Sequence, residues 1–120
     1  MTRMGEVTDY YETLPGDVRG LFDGIRRRAL ELLPDLTEGR SYGMPALLYR
    51  GKGLLSTMQA KTHLAYYPYS GAVVSAVADD LSGYSLARGT VRFSVGKPIP
   101  PQIVDRMILA RAAEIDARMG

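Results

Sequence analysis

Three short runs with strand character, joined by very short connections, constrain the fold of this chain most. The runs cover residues 46–50, 54–59 and 62–67, and only residues 51–53 and 60–61 separate them. Parallel strands need a crossover of a dozen or more residues, whereas antiparallel strands can be joined by a tight turn. The middle of the chain therefore predicts a three-stranded antiparallel meander.

Two segments with helical periodicity flank this meander. Residues 17–33 carry apolar side chains at i, i+3, i+4 and i+7 spacings, and Pro34 ends the segment because the residue before a proline avoids the helical region. Residues 101–118 repeat the pattern, with Pro101 suited to a first helical turn. Both segments predict helices with one apolar stripe.

Weaker signals complete the element order. Thr8 can cap a short first turn, and residues 72–81 indicate a second short helix rich in alanine and valine. Residues 89–95 alternate apolar and polar side chains, which predicts a fourth strand. The predicted fold is α+β, in the order α-α-β-β-β-α-β-α. It is a four-stranded antiparallel sheet with helices packed on one face and the other face open to water.

Length and composition exclude several classes of protein. With 120 residues, the chain predicts a single domain spanning 1–120. Its 15 basic and 13 acidic residues give little long-range attraction for a polyanion, so we expect no nucleic-acid partner. The absence of cysteine excludes disulfides and thiolate metal sites. No signal peptide is visible and no run approaches the roughly 18 apolar residues of a membrane span, so we expect a cytoplasmic protein.

The third predicted strand points to a ligand face. Period-2 alternation places Lys61, His63 and Tyr67 on one side of it, and Arg92 from the fourth strand can share that side. A cationic surface lined by tyrosine favours a small anion such as a phosphate or carboxylate. The alternative interpretation is that Lys61 is a solvated turn residue and His63 a half-exposed histidine with a hydrogen-bonded partner.

Arg111 falls on the apolar stripe of the last helix, four residues after Met107 and four before Ile115. A buried guanidinium needs a partner. We expect a structural tie between the last helix and the sheet, through Glu38 or an aspartate, although the side chain can also extend to the edge of the sheet.

The segment formed by residues 42–45 has a mechanical interpretation. Gly43 can adopt positive φ, and Pro45 holds Met44 extended as the chain enters the sheet. Tyr42 remains available to offer its hydroxyl to a pocket.

Acidic residues near the start of the chain are candidates for a metal site. Glu6, Asp9 and Glu12 recur every three residues, with Asp17 nearby, so a helix would align the first three. Ferrous iron accepts carboxylate oxygens, but a solvated first turn favoured by the helix dipole is the alternative. We find no catalytic motif: there is one histidine, no nucleophile elbow and no phosphate-binding loop.

Several segments together resemble the YdhG-like family, over about residues 10–115. They are residues 38–46, 53–55, 61–64, 67–68, 89–93, 99–100 and Arg111. Members are domains of unknown function, and some are labelled intracellular iron chaperones because their α/β fold resembles that of frataxin. The resemblance implies a frataxin-like fold and the shared positions Glu38, Tyr42, Met44, Pro45, Lys61, His63, Tyr67, Arg88, Arg92 and Arg111.

Three hypotheses about function follow. The first is non-catalytic binding of a small anion, without a cofactor, on the open sheet face, with positive charge and tyrosine hydroxyls from Lys61, His63, Arg88, Arg92, Tyr42 and Tyr67. The second is an iron chaperone that binds ferrous iron through Glu6, Asp9, Glu12 and Asp17 and delivers it to a protein partner. The third is a protein-interaction module, either monomeric or a homodimer, without a small ligand.

Overall fold

Four α-helices and six strands make up the computed structural model, which describes residues 5–119. The helices are α1 (Glu6–Tyr11), α2 (Gly16–Leu32), α3 (Gly71–Val77) and α4 (Pro101–Met119), and a 3-10 turn follows α3 at Ala78–Leu81. The strands are β1 (Thr37–Ser41), β2 (Met44–Tyr49), β3 (Lys52–Gln59), β4 (Leu64–Tyr67), β5 (Ser85–Ala87) and β6 (Thr90–Phe93). None of the helices within residues 5–119 is long and apolar enough to cross a membrane.

The six strands form one antiparallel sheet in the order β1-β2-β3-β4-β6-β5. The predicted meander is confirmed as β2, β3 and β4. Tight turns join the first three strands: Tyr42 and Gly43 have φ values of 50° and 76°, and Arg50 and Gly51 have values of 53° and 80°. Two successive positive φ values are the signature of a type I′ turn, whose twist matches that of the flanking strands.

The prediction of four strands is wrong, because the sheet has six. The order is therefore α-α-β-β-β-β-α-β-β-α. The sequence of β1, TEGRS, has no apolar residue and so no alternation to detect, and β5 is only three residues long. Both are edge strands, which gain their conformation from pairing with a neighbour rather than from their own side-chain pattern.

One face of the sheet packs against the helices, as the alternation predicts. Tyr66 and Val91 are paired across β4 and β6, and both are fully buried in the core. The ring of Phe22 from α2 lies between Phe93 of β6, at 6.2 Å, and Tyr11 of α1, at 5.4 Å between ring centroids. Residues of β4 and β6 thus meet α1 and α2 in one core.

The opposite face is only partly open. The β2–β3 ladder ends at the pair Leu47 and Leu55, and beyond it β2 departs from β3. The tip of the β1–β2 hairpin consequently bends across the start of β3: a Cβ atom on Gly53 would lie 2.8 Å from the Oγ of Ser41. Gly53 and Ser56 are buried beneath it. The exposed part of this face therefore lies on β4 and β6.

Candidate functional site

The exposed part of the sheet is here called the β4–β6 face and is defined by His63, Tyr67 and Arg92. Arg92 is paired with Ala65, whose small side chain is fully buried, and Tyr67 is two residues further along β4. His63 directly precedes β4 and lies on the same side by alternation. Diagonal neighbours across paired strands lie about 7–8 Å apart, so the three side chains surround the alanine.

Arg92 has unused hydrogen-bonding capacity. A guanidinium carries five N–H donors. Among the described residues, Arg92 donates one hydrogen bond, to the hydroxyl of Ser85 at 3.0 Å, and it pairs with no carboxylate. Other arginines of residues 5–119 do pair with carboxylates, namely Arg26, Arg28, Arg40, Arg50, Arg106 and Arg111.

Acidic residues are absent from the part of the sequence that contains Arg92. No aspartate or glutamate occurs in the sequence between Glu38 and Asp79, or between Asp80 and Asp105. Strands β2 to β6 and the turns that join them at residues 50–51, 60–63 and 88–89 fall within these two gaps. The strands of the β4–β6 face thus contain cations and no carboxylate of their own, although carboxylates from other elements reach some cations in these gaps, as Asp116 reaches Arg50.

Lys61 and Arg88 lie at the two ends of this face. Lys61 is exposed in the turn before β4, outside the strand, so strand alternation does not fix the direction of its side chain. Arg88 is exposed in the turn before β6, where its Cγ would lie 3.1 Å from a Cβ on Gly71. Because β4 and β6 are antiparallel, these turns are at opposite ends of the ladder.

Tyr42 belongs to a separate aromatic pair at the tip of the β1–β2 hairpin. Its side chain is 88% exposed and stacks on Tyr69, with ring centroids 5.7 Å apart and planes 22° apart. The Tyr69 hydroxyl donates to the backbone oxygen of Ser41 at 3.1 Å and lies 2.6 Å from the Oγ of Ser56. Burial raises the pKa of the Tyr69 hydroxyl above its ordinary value.

Tyr69 is the residue of this region that sequence reasoning missed. Its backbone φ is 59°, unusual for a residue with a side chain, and it follows the strand rather than belonging to it. Ser56 is the ladder partner of Tyr67, so Tyr69 connects the hairpin tip to the edge of the β4–β6 face. No local pattern identifies this role, because it depends on where the hairpin bends.

Arg111 ties α4 to the sheet, with a partner other than the predicted one. It is 9% exposed, and its Nε donates to the backbone oxygen of Gly53 at 3.0 Å. Its Nη1 lies 3.1 Å from Oε1 of Glu114, whose other oxygen accepts from the Ser70 hydroxyl at 2.8 Å. Glu38 does not take part, since it accepts hydrogen bonds from the backbone and side chain of Thr8, each at 2.8 Å.

The remaining residues of the predicted segment 42–45 shape the hairpin. Gly43 adopts positive φ as predicted. Met44 and Pro45 are the first residues of β2, two positions before the predicted start of the strand. The carbonyl oxygen of Pro45 accepts a hydrogen bond from the Ser56 hydroxyl at 2.7 Å.

The acidic residues near the start of the chain do not assemble into a metal cage. Glu6 Oε2 lies 2.9 Å from Nε of Arg40, and Asp17 Oδ1 accepts from the backbone N–H of Val18 at 2.8 Å. Across the described part of the chain, no group of three or more histidine, aspartate or glutamate side chains could hold a metal ion. Iron binding through Glu6, Asp9, Glu12 and Asp17 remains a prediction from the resemblance.

The fold has a counterpart among solved structures. No protein-family model matches the chain, and no curated protein matches it. The crystal structure of the Bacillus subtilis protein YdhG, of the DUF1801 family, is 18% identical in sequence and superposes with a TM-score of 0.77. The match covers 92% of this chain and 91% of that one. The resemblance to YdhG-like proteins is thus confirmed in the fold: this chain folds as the DUF1801-family protein YdhG does.

Proposed function

We propose that the protein binds a small anionic ligand on the β4–β6 face and does not catalyse a reaction there. The observation that carries the proposal is Arg92, a partly exposed guanidinium in a part of the chain without carboxylates. An arginine with no internal counter-charge attracts an external one, and a planar guanidinium matches the geometry of a carboxylate or phosphate.

The other residues of the face would each make one type of contact. The imidazole of His63 and the hydroxyl of Tyr67 flank Arg92 and can donate hydrogen bonds to the same anion. Lys61 and Arg88, at the two ends, add positive charge that attracts the ligand before contact. Tyr42 would contribute only for a ligand long enough to reach the stacked pair that it forms with Tyr69.

The ligand class follows from the side chains of the site. Cationic and hydrogen-bonding side chains surround a small, buried alanine, so the face suits a compact carboxylate or phosphate better than a bulky apolar molecule. Because Lys61 and Arg88 are exposed, salt screens their charges, and the affinity for an anion should fall as ionic strength rises.

A thermal-shift titration with inorganic phosphate and with citrate tests the proposal. We expect both anions to raise the melting temperature of the wild type, and Arg92→Gln combined with Lys61→Gln to reduce that rise. Arg19→Gln, which removes a charge from the exposed surface of α2, provides the matched control and should behave as the wild type. An equal anion-induced rise in the double variant and in the wild type would rule the proposal out.

A further inference from the structure

A cleft on the other side of the molecule has the features of a second binding site. It lies between α2 and the segment that leads into α4, and it encloses about 390 Å³. Its floor is apolar and buried, formed by Ile25, Phe93, Ile99 and Val104. This volume lies in the range of pockets that hold small molecules, and it is too small for a helix or a strand of a partner.

Two glycines of α2 keep the cleft open. Gly20 and Gly24 line it one helical turn apart. A Cβ atom at Gly20 would have no neighbour within 4 Å, and one at Gly24 would meet only the Arg27 guanidinium, at 4.0 Å. Neither glycine has positive φ, so neither the backbone nor a close contact requires glycine here. Glycine is among the least favourable residues inside a helix. Two glycines that face empty space therefore lower the stability of α2 without a structural need, which indicates a functional site.

The charged residues at one end of the cleft indicate which polar group a ligand would carry. The guanidinium of Arg28 already donates two hydrogen bonds to Asp105, from Nε to Oδ1 at 2.7 Å and from Nη2 to Oδ2 at 2.5 Å. Arg27 is exposed at the rim and forms no ion pair within residues 5–119. Glu31 lines the same end, so the net charge there stays low, which favours one carboxylate over a phosphate dianion.

We propose that the α2 cleft binds a small amphipathic carboxylate, whose apolar body replaces the missing side chains of Gly20 and Gly24 and whose carboxylate pairs with Arg27. This site is independent of the anion site on the β4–β6 face. Burial of the apolar body would supply most of the binding free energy, and Arg27 would supply orientation and selectivity.

Calorimetric titration of the full-length protein with octanoate, octanol and octyl phosphate tests this inference. We expect saturable binding of one octanoate per chain and weaker binding of the other two. Gly20→Leu fills the cleft and should weaken octanoate binding at least tenfold, while its melting temperature is equal to or above that of the wild type. Gly16→Leu is the matched control, because Gly16 also faces open space but does not line the cleft, and it should bind octanoate as the wild type does.

A second variant tests the polar end of the cleft. Arg27→Gln should weaken octanoate binding about tenfold, as expected for loss of one charge-assisted hydrogen bond, and leave octanol binding unchanged. Arg92→Gln should not affect octanoate, which separates this site from the β4–β6 face. No saturable binding by the wild type, equal binding by Gly20→Leu and Gly16→Leu, or equal affinity for octanoate and octanol would each overturn the inference. Dissociation of a wild-type dimer by Gly20→Leu would overturn it too, by showing that the glycines form a self-association surface.

Discussion

The Nε of Arg111 donates a hydrogen bond to the backbone oxygen of Gly53 across 3.0 Å, and this contact joins the last helix to the sheet. The β3–β4 ladder begins only at Ser56 and Tyr67, so β4 does not reach Gly53. Arg111 therefore takes the place of a strand partner for a buried carbonyl. The same guanidinium is held by Glu114, which keeps the buried charge paired.

Replacement of Arg111 should accordingly destabilise the fold. Arg111→Met keeps the apolar stem but leaves the Gly53 carbonyl unsatisfied, which costs about 1–3 kcal/mol. Glu114→Gln keeps the bond to Gly53 but leaves the charge of Arg111 uncompensated, so it should also lower the free energy of unfolding. Urea unfolding of both variants measures these losses, and an Arg111→Met variant as stable as the wild type would show that the bond to Gly53 does not matter.

Removal of the hydroxyl should change the free energy of unfolding in opposite directions at two buried tyrosines. The Tyr66 hydroxyl is buried without a partner in the described part of the chain, whereas the Tyr11 hydroxyl lies 2.5 Å from the Oγ1 of Thr57. Tyr66→Phe should raise the free energy of unfolding by about 1 kcal/mol, and Tyr11→Phe should lower it by a similar amount. Loss of stability in both variants would contradict the assignment of Tyr66 as unpaired.

Tyr66 should also make the stability of the fold depend on pH in the alkaline range. Burial raises the pKa of its hydroxyl above the ordinary value of 10.0. The folded state therefore retains a proton that the unfolded state loses, so this contribution to stability is present below pH 10 and falls as the pH rises above it. Denaturant unfolding between pH 8 and pH 11 should show a shallower decline for Tyr66→Phe than for the wild type; parallel declines would contradict the prediction.

Asp105 should make the stability of the fold depend on pH in the opposite sense, in the acidic range. The hydrogen bonds from Arg28 lower the pKa of its carboxyl below the ordinary value of 3.8. The stabilisation is therefore present above that value and is lost as the pH falls through the pKa of the folded state. Asp105→Asn should melt below the wild type at pH 7 and approach it near pH 2. Asp79→Asn, at an exposed carboxylate without an ion pair among the described residues, is the control and should not show this convergence.

The Tyr42 turn offers a test of backbone strain. Tyr42 holds φ at 50°, where a residue other than glycine is strained and asparagine is tolerated best. Tyr42→Asn and Tyr42→Ala both remove the stacked ring, but only alanine keeps the strain, which is about 1–2 kcal/mol. We expect the asparagine variant to be more stable than the alanine variant by about 1 kcal/mol in denaturant unfolding. Equal stability would mean that the turn relaxes.

Sequence patterns predicted the elements that carry their own periodicity. The stripe of α2, including Phe22, is visible in the spacing of its apolar residues, and so is that of α4. Tyr67 and Arg92 could be placed on one face because both lie inside strands, where alternation is strict. The face on which such a residue lies follows from the periodicity of its own helix or strand, which can be read from the sequence.

The features that were not predicted depend on contacts between distant parts of the chain. Strand β1 is polar, and it becomes a strand only because β2 pairs with it. The position of Tyr69 over Ser56 depends on the bend of the β1–β2 hairpin, for which no short motif exists. The prediction of Glu38 as a partner of Arg111 was wrong because Glu38 already accepts hydrogen bonds from Thr8. Arg111 instead bonds to the distant carbonyl of Gly53 and pairs with Glu114, which lies one helical turn away.

A backbone amide NMR titration with inorganic phosphate tests the central claim most directly, because it locates binding on the sequence. The account predicts saturable chemical-shift changes that share one dissociation constant at residues 63–67 and 90–92. Those changes should be lost in Arg92→Gln and retained in Arg19→Gln. Saturable changes confined to other parts of the chain, or no saturable change at all, would contradict an anion site on the β4–β6 face.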